Sequence, residues 1–284
     1  MAIDTKLIKE LREKTGMGIT NCKKALEEAD GDCGRAEMIL RKQGLDKAAK
    51  KADRPTGQGV VAVKVDGDRA AMIELACEQE PTTNNGRFLA LVALALDAAL
   101  SENVSNVDQL NGAKSGDGVI ADSVKELIGV VGENVQLRKA ITIAAPVGGV
   151  IGSYVHFNKK AGAIVALKLD GVGKDGDGIK IAANDICLHA VAARPLAWRR
   201  DDIPPDILAK EKEVFMEEIK NKPEQIRDKI LNGKIEKFYA DKVLPEQLFV
   251  KGLEGTVKEM LDAAAKAAGG KAEIAAFARF ELGL

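Results

Sequence analysis

The spacing of apolar residues changes at Gly59, and this change divides the chain into two parts. Before Gly59, apolar residues recur every three or four positions, which is the spacing of amphipathic helices. After it, two short apolar runs at 60–65 and 70–76 flank Asp66-Gly67. Runs of this length around an Asp-Gly turn are typical of a β-hairpin. The chain is therefore expected to begin with helices and to continue with an antiparallel sheet.

Three short helices are predicted before the change in spacing. The first begins after Asp4 and ends at Gly16, because glycine readily adopts backbone angles that end a helix. Thr20 is the expected N-cap of the second helix. A turn at 30–32 precedes and caps the third, which is expected to end at Gly44. About 45 residues bury only a small core, so such a unit is suited to docking on a larger body.

The segment 43–56 is predicted to connect the helical module to the rest of the chain. It is basic and helix-prone, it ends at Pro55, and no aromatic residue interrupts its cations. We interpret it as a solvated linker rather than a nucleic-acid-binding patch. Such a linker would let the helical module swing.

The strand-rich part contains a pattern that recurs. Helices are predicted at 87–100 and 116–132 and a strand at 135–143, followed by strands at 150–156 and 163–169, a helix at 179–192 and a strand at 273–282. Each unit has two strands, helical sequence and a closing strand. The pattern predicts an α+β fold of two related subdomains with antiparallel sheets and helices on one face.

The second unit is interrupted by a predicted antiparallel helical hairpin. Helices are predicted at 204–221 and 223–240, and each begins with proline. Proline suits the first turn of a helix. Apolar residues at spacings near 3.5 predict a narrow, coiled-coil-like seam. The expected seam residues are Leu208, Val214, Phe215, Ile219, Ile226, Ile230, Ile235 and Phe238. The predicted division is a helical module with its linker (1–55), an N-subdomain (56–145), a C-subdomain (146–203 with 241–284) and the hairpin (204–240).

Composition narrows the possible functions. The net charge is −1, which disfavours direct nucleic-acid binding. No apolar run reaches about 18 residues and no leader sequence precedes the first helix, so a cytoplasmic protein without a membrane partner is expected. The four cysteines form no Cys-x-x-Cys pair, so free thiols are expected rather than a zinc site or disulfides.

Motifs for chemistry are missing from the sequence. There is no Walker loop and no Gly-x-Ser-x-Gly nucleophile motif, so we expect neither an enzyme nor a bound cofactor or metal. The glycine-rich stretch at 170–178 is interpreted as a surface turn, because it lacks the ligand spacing of an EF-hand. His189 lies on an apolar helix and is expected to be structural. His156 lies in a predicted strand pair, where a contact role and a plain strand position remain open.

Several long motifs resemble one family. LREKTGMGITNCKKALEE at 11–28 is followed by a DGD turn and by ILRKQG at 39–44. Further along stand GENVQLRK (132–139), IGSYVHFNKKAGAIVAL (151–167), CLHAVAARP (187–195), LFVKGLEGTV (248–257) and RFELG (279–283). In this order they resemble the bacterial translation elongation factor Ts family over nearly the whole chain. The resemblance implies a UBA-like (ubiquitin-associated-like) N-terminal module, a coiled-coil hairpin for dimerisation or partner contact, and guanine-nucleotide exchange on elongation factor Tu·GDP.

One loop departs from the family pattern. In the family, the loop after the second strand carries cysteine, a polar residue, threonine, aspartate and phenylalanine, and its aromatic ring wedges between helices of the GTPase near the magnesium site. Here the loop reads CEQEPTT at 77–83. Glu80 stands for the aspartate and Pro81 for the phenylalanine, while Phe88 is expected in the core. This departure leaves open an alternative function, a Tu-binding stabiliser with weak exchange activity.

The resemblance also implies which residues contact elongation factor Tu. The candidates fall in three segments, and a homodimer or a 2:2 complex is possible through the hairpin. The candidates are Leu11, Arg12, Thr15, Gly16, Met17, Gly18, Cys22, Lys23, Lys24, Glu78, Gln79, Glu80, Pro81, Thr82, Thr83, Ser153, Tyr154 and His156.

Overall fold

The computed structural model describes residues 3–116, 118–172, 177–252 and 255–284. It combines helices with antiparallel sheets, as predicted for an α+β fold. The helices are α1 (Thr5–Thr15), α2 (Ile19–Glu28), α3 (Cys33–Lys51), α4 (Gly86–Glu102), α5 (Val107–Gly112), α6 (Ile120–Val131), α7 (Asp177–Ala193), α8 (Pro205–Ile219), α9 (Glu224–Lys242) and α10 (Val257–Ala267). The strands are β1 (Gln58–Asp66), β2 (Arg69–Cys77), β3 (Lys114–Ser115), β4 (Gly118–Val119), β5 (Val135–Ala144), β6 (Val150–Val155), β7 (Ala161–Asp170) and β8 (Lys271–Glu281).

The three N-terminal helices form where they are predicted, with one change at a cap. The Asp4 side chain accepts a hydrogen bond at the start of α1, and Gly16 ends the helix with a φ of 70°. Asp32 caps α3 in the same way as Asp4 caps α1. The prediction of Thr20 as the N-cap of α2 is wrong, because the helix begins at Ile19 and the Gly18 carbonyl already accepts its first hydrogen bond.

The third helix is longer than predicted. It continues past Gly44 to Lys51, so the prediction that 43–56 is a swinging linker is wrong. Gly44 faces Gly129 of α6, and a Cβ on Gly129 would lie only 2.8 Å from the Gly44 Cα. The missing side chains thus allow two helices to pack closely, and this packing outweighs the low helix propensity of glycine.

The two main sheets have the same strand order. One is β1-β2-β5 and the other β6-β7-β8, and every neighbouring pair is antiparallel. In each sheet the last strand has one bulge against the middle strand. The predicted hairpin is confirmed, with Gly67 and Asp68 in its two-residue loop because Asp66 pairs with Arg69.

The core lies in layers on both sides of each sheet. Alternate residues of β2, such as Ile73 and Leu75, face the helices α4 and α6. Met72 points the other way and packs with Ile164 of the second sheet. Helices on one face of each sheet are therefore confirmed, and the other faces pack against each other. Phe88, in the first turn of α4, is fully buried in the core, as predicted.

Two helices and one hairpin have no counterpart in the sequence prediction. The predicted helix at 116–132 overlaps β4 of the β3–β4 pair at its start, and only its later part is α6. The helix α5 has six residues, too few for a periodic signal. The helix α10 begins with a capping box between Thr256 and Glu259, a signal that was present in the sequence. The turn predicted at 170–178 includes residues 173–176, which lie outside the described residues.

The helices α8 and α9 run side by side at the predicted place. Phe215 and Phe238 pack into one apolar cluster at the base of this pair. The seam prediction is wrong for Val214 and Ile226, which are 52% and 43% exposed. Val214 adjoins Phe215 and so points to a different face of the helix. Ile226 lies in the first turn of α9.

The predicted structural role of His189 is confirmed. The ring is fully buried, its Nε2 lies 3.0 Å from Gln247 Oε1, and the Val250 amide donates to its Nδ1 at 3.3 Å. Burial lowers its pKa from the ordinary 6.5, against a smaller opposite effect of the Gln247 hydrogen bond.

The four cysteines are free thiols, and Cys33 alone among them is not fully buried. Within the described ranges, each helix is too short or too polar to cross a membrane.

Candidate partner-binding surface

The first candidate segment is the turn between α1 and α2. Arg12, Gly18, Lys23 and Lys24 are exposed, and Thr15 and Gly16 are half-buried. The turn is held internally, because Thr15 Oγ1 donates to the Leu11 carbonyl at 2.7 Å. This segment therefore presents three cations on a well-supported turn.

Three candidates in this segment do not reach the surface. Leu11, Met17 and Cys22 are buried in the core of the helical module. Their side chains form part of the common core of the three helices. They therefore support the turn from the interior and are not available for direct contact.

The second candidate segment is the loop after β2, and it forms a short 3-10 turn, Glu80–Asn84. Glu133 holds this loop from beyond the end of α6. Its carboxylate accepts the Gln79 amide at 3.1 Å and the Thr82 hydroxyl at 2.8 Å. Beside it, the Asn134 amide donates to Glu78 Oε1 at 2.6 Å. The loop is thus anchored on both sides of residues 80 and 81.

The anchors leave the centre of the loop open to solvent. Gln79, Glu80 and Pro81 are exposed, Glu78 and Thr83 are half-buried, and Thr82 is buried. The Cys77 thiol at the base donates to the Gln79 carbonyl at 3.2 Å. Burial, with the nearby Glu133 charge, raises the pKa of Cys77 to about 11, so this thiol stays protonated and unreactive near neutral pH.

The third candidate segment is the end of β6 and the turn that follows it. Ser153, Tyr154 and His156 are all half-buried, and Tyr154 packs on the core of the second sheet. The Ser153 amide donates to Asn184 Oδ1 at 2.9 Å. Within the described part of the chain, His156 Nδ1 is buried without a hydrogen-bond partner. Its ring lies 4.4 Å from that of Phe157.

The fold brings the second and third segments together through β1. The Lys159 carbonyl in the third segment's turn accepts the Val61 amide at 2.7 Å. Lys160 Nζ donates to Gln58 Oε1 at 3.1 Å. Gln58 pairs with Cys77, the residue directly before the loop. The turn after β6 therefore lies beside the base of the loop, although about 80 residues separate them in sequence.

The first segment adjoins the same loop through α4. This helix begins at Gly86, just after the 3-10 turn, and the Arg87 guanidinium reaches the end of α1. All three candidate segments are thus neighbours in the fold, with the loop between the other two.

Three residues near this surface have no role in the sequence prediction. Ile19 is 56% exposed and Phe157 is 87% exposed. Phe157 carried a signal, because an aromatic residue stands there in a polar turn, whereas Ile19 shares the helical spacing of buried Cys22 and Leu26. Glu133 supports the loop from more than 50 positions away in the sequence, and its neighbours in the sequence do not indicate this contact.

The surface places mixed charges around two large exposed apolar side chains. It combines cations such as Lys23 and Lys159 with the acidic Glu80 and two exposed apolar side chains, Ile19 and Phe157. Mixed charges around a few large apolar residues are typical of protein–protein interfaces. Among the described residues, no group of three His, Cys, Asp or Glu side chains is placed to hold a metal ion.

The chain is similar to proteins of one family over its whole length. The family model described as Elongation factor TS matches residues 82–284. The match begins directly after Pro81. An elongation factor Ts from Nautilia profundicola is 39% identical over 99% of this chain and 93% of its own length. Those from Trichlorobacter lovleyi and Prosthecochloris aestuarii are 36% and 34% identical, over 100% and 99% of this chain and 93% and 99% of their own lengths.

Proposed function

The chain belongs to the elongation factor Ts family, and from this premise we propose that it is a guanine-nucleotide exchange factor for elongation factor Tu. It would bind Tu·GDP and promote GDP release during translation elongation in the cytoplasm. The observation that carries the proposal is the position of the three candidate segments. They come from distant parts of the sequence and are neighbours in the fold.

Exchange requires differential binding and no covalent step by this chain. If the protein binds nucleotide-free Tu more tightly than Tu·GDP, it must weaken the binding of GDP to Tu by the same factor, because linkage is reciprocal. Magnesium normally compensates the phosphate charge of the nucleotide. A partner that disturbs the magnesium site therefore loosens GDP. In this proposal the chain is not an enzyme and carries no cofactor.

The finer architecture follows the same proposal. The helices α1–α3 act as a UBA-like docking module, and the α8–α9 pair is a coiled-coil hairpin used for dimerisation or partner contact. A contact between the two helices supports the hairpin, because Lys234 of α9 lies 5.3 Å from the centre of the Phe215 ring of α8. The hairpin would allow a homodimer or a 2:2 complex with Tu.

A second function is favoured by the identity of the two residues at the centre of the 78–83 loop. Glu80 and Pro81 are exposed where the family pattern has aspartate and phenylalanine. Proline offers no aromatic face to insert between helices. A protein with this loop could bind and stabilise Tu while releasing GDP slowly.

The release of a fluorescent GDP analogue from Tu of the same organism separates the two functions. An exchange factor should accelerate release, with a rate that saturates as its concentration increases. A stabiliser should bind with measurable affinity, raise the melting temperature of Tu, and leave release nearly unchanged. A chain that neither binds Tu nor alters release would contradict both proposals.

A further inference from the structure

The N-terminal module meets the core across a partly open junction. A groove of about 380 Å³ lies between them, with Lys14, Met17 and Leu40 on the module side and Leu91, Leu94 and Leu127 on the core side. The module is therefore not fixed by continuous apolar packing on this side. Here, away from the packing of α3 on α6, individual contacts cross the junction.

Arg87 makes one of these contacts from the first turn of α4. Its Nη2 lies 3.5 Å from the Glu13 carbonyl and 3.4 Å from the Lys14 carbonyl, at the end of α1. The last carbonyls of a helix lack partners within the helix and carry partial negative charge, so a cation there is favourable. The guanidinium thus satisfies the end of α1 from another part of the chain.

Gly16 makes room for this contact. It ends α1 with a φ of 70°, and the guanidinium packs against its Cα so closely that a side chain at this position would overlap Arg87. Glycine suits this position because it readily adopts the left-handed conformation and has no side chain to overlap the guanidinium.

Other contacts hold the far end of the module. Arg41 of α3 pairs with Glu126 of α6 at 3.0 Å. Beyond the end of α3, the Asn134 side chain donates to the Ala52 carbonyl at 3.1 Å and to the Arg54 carbonyl at 2.7 Å. The module is therefore attached along α3, and Arg87 is what ties α1, the helix with the candidate contacts, to the loop side of the core.

We infer that Arg87 is a positioning residue that holds the α1–α2 turn and the 78–83 loop as one preformed surface for elongation factor Tu. The inference rests on the proposed function. Two contact segments at a fixed separation bind with a smaller entropy loss than two that move independently. Arg87 itself need not touch the partner.

The test compares Arg87→Ala, Arg87→Lys and a control, Arg35→Ala, in the full-length protein. Arg35 is an exposed arginine of the module that lies 4.0 Å from Asp30 and does not cross the junction. Affinity for Tu·GDP is measured by calorimetry, and GDP release by the fluorescent assay. Spin labels at Glu28→Cys and Asp108→Cys, with Cys33→Ser in the background, report the distance between module and core.

Arg87→Ala should broaden the distribution of distances and weaken affinity for Tu·GDP by about tenfold, within the range typical of coupled sites. The release rate at saturation should stay within about twofold, because preformation acts on binding. Arg87→Lys should restore part of the affinity, because an ammonium group still favours the helix end. Arg35→Ala should match the unmodified protein in both measurements.

Two results would overturn the inference. One is a narrow distance distribution in Arg87→Ala, and the other is a broadened distribution with unchanged affinity. Failure of the proposed function is seen separately, because the unmodified protein would then bind Tu without accelerating GDP release, or would not bind Tu at all.

Discussion

Burial decides the ionisation of His189. The histidine lies on α7 and faces the segment after α9, where both ring nitrogens have partners. Because its folded-state pKa lies below the ordinary 6.5, the unfolded chain binds a proton at this site more readily than the folded chain does. Stability from this site is therefore present above pH 6.5 and decreases as the pH falls toward the folded-state pKa.

We predict that the free energy of unfolding falls with pH below 6.5, by at most about 1.4 kcal/mol per pH unit for one proton. Urea titrations between about pH 5 and 7 would measure the slope. His189→Gln should be less stable throughout and should lose this part of the slope. His156→Gln, which removes the other histidine, should retain it. An equal slope in His189→Gln and the unmodified protein would exclude His189 as its source.

At the scale of elements, the 78–83 loop is anchored by hydrogen bonds at its ends, and its central residues differ from the family pattern. Glu133 and Asn134 hold its ends, while residues 80 and 81 project into solvent. The anchoring hydrogen bonds do not involve the side chains of Glu80 and Pro81. These two side chains can therefore be exchanged without dismantling the loop.

Restoring the family residues with Glu80→Asp and Pro81→Phe should accelerate GDP release from Tu by about tenfold, a usual size for coupling between two sites. The physical reason is the aromatic ring, which proline lacks. Glu80→Asp with Pro81→Ala is the matched control, since it removes the proline without adding a ring. If both double variants release GDP at the rate of the unmodified protein, the loop is not the element that loosens GDP.

At the scale of the whole molecule, Glu74 joins the two sheets. Its carboxylate is fully buried on β2, and Arg138 and Lys139 of β5 lie 3.6 and 3.4 Å away. Gly283, which follows the last strand, donates its amide to Glu74 Oε1 at 3.1 Å. Lys139 also donates to the Leu284 carbonyl. One carboxylate thus connects the middle of the first sheet to the end of the second.

Glu74→Ala should lower the free energy of unfolding by about 1–3 kcal/mol, through the lost hydrogen bond and the unpaired cations. Arg138 and Lys139 are partly exposed and can be solvated, which keeps the cost below that of an isolated buried charge. Urea unfolding would measure it. Glu273→Ala, at an exposed strand position, should stay within about 0.5 kcal/mol. Equal stability of the two variants would contradict the role of Glu74.

The sequence predicted the main elements of this fold because each carries its own signal. Apolar spacing identified most helices and strands, and Asp4 and Asp32 marked helix starts through local hydrogen bonds. Long motifs were enough to identify the family. Short elements such as α5 were not predicted, because six residues form fewer than two helical turns and show no apolar periodicity.

For the candidate surface, the sequence supplied the segments and the altered residues at 80 and 81. It did not separate buried Leu11, Met17 and Cys22 from the exposed residues around them. Apolar spacing shows which face of a helix is apolar but not what covers it, so the exposure of Ile19 could not be predicted.

The tertiary structure alone decided how the parts are joined. Gly44 was predicted to end α3, yet the helix continues to Lys51 because Gly44 packs closely on Gly129 of α6. The sequence assigned no role to Arg87, yet its side chain reaches the end of a helix more than 70 positions earlier. Local signals reflect interactions within a few residues, whereas these contacts depend on where the packing of the sheets and helices places distant backbone atoms.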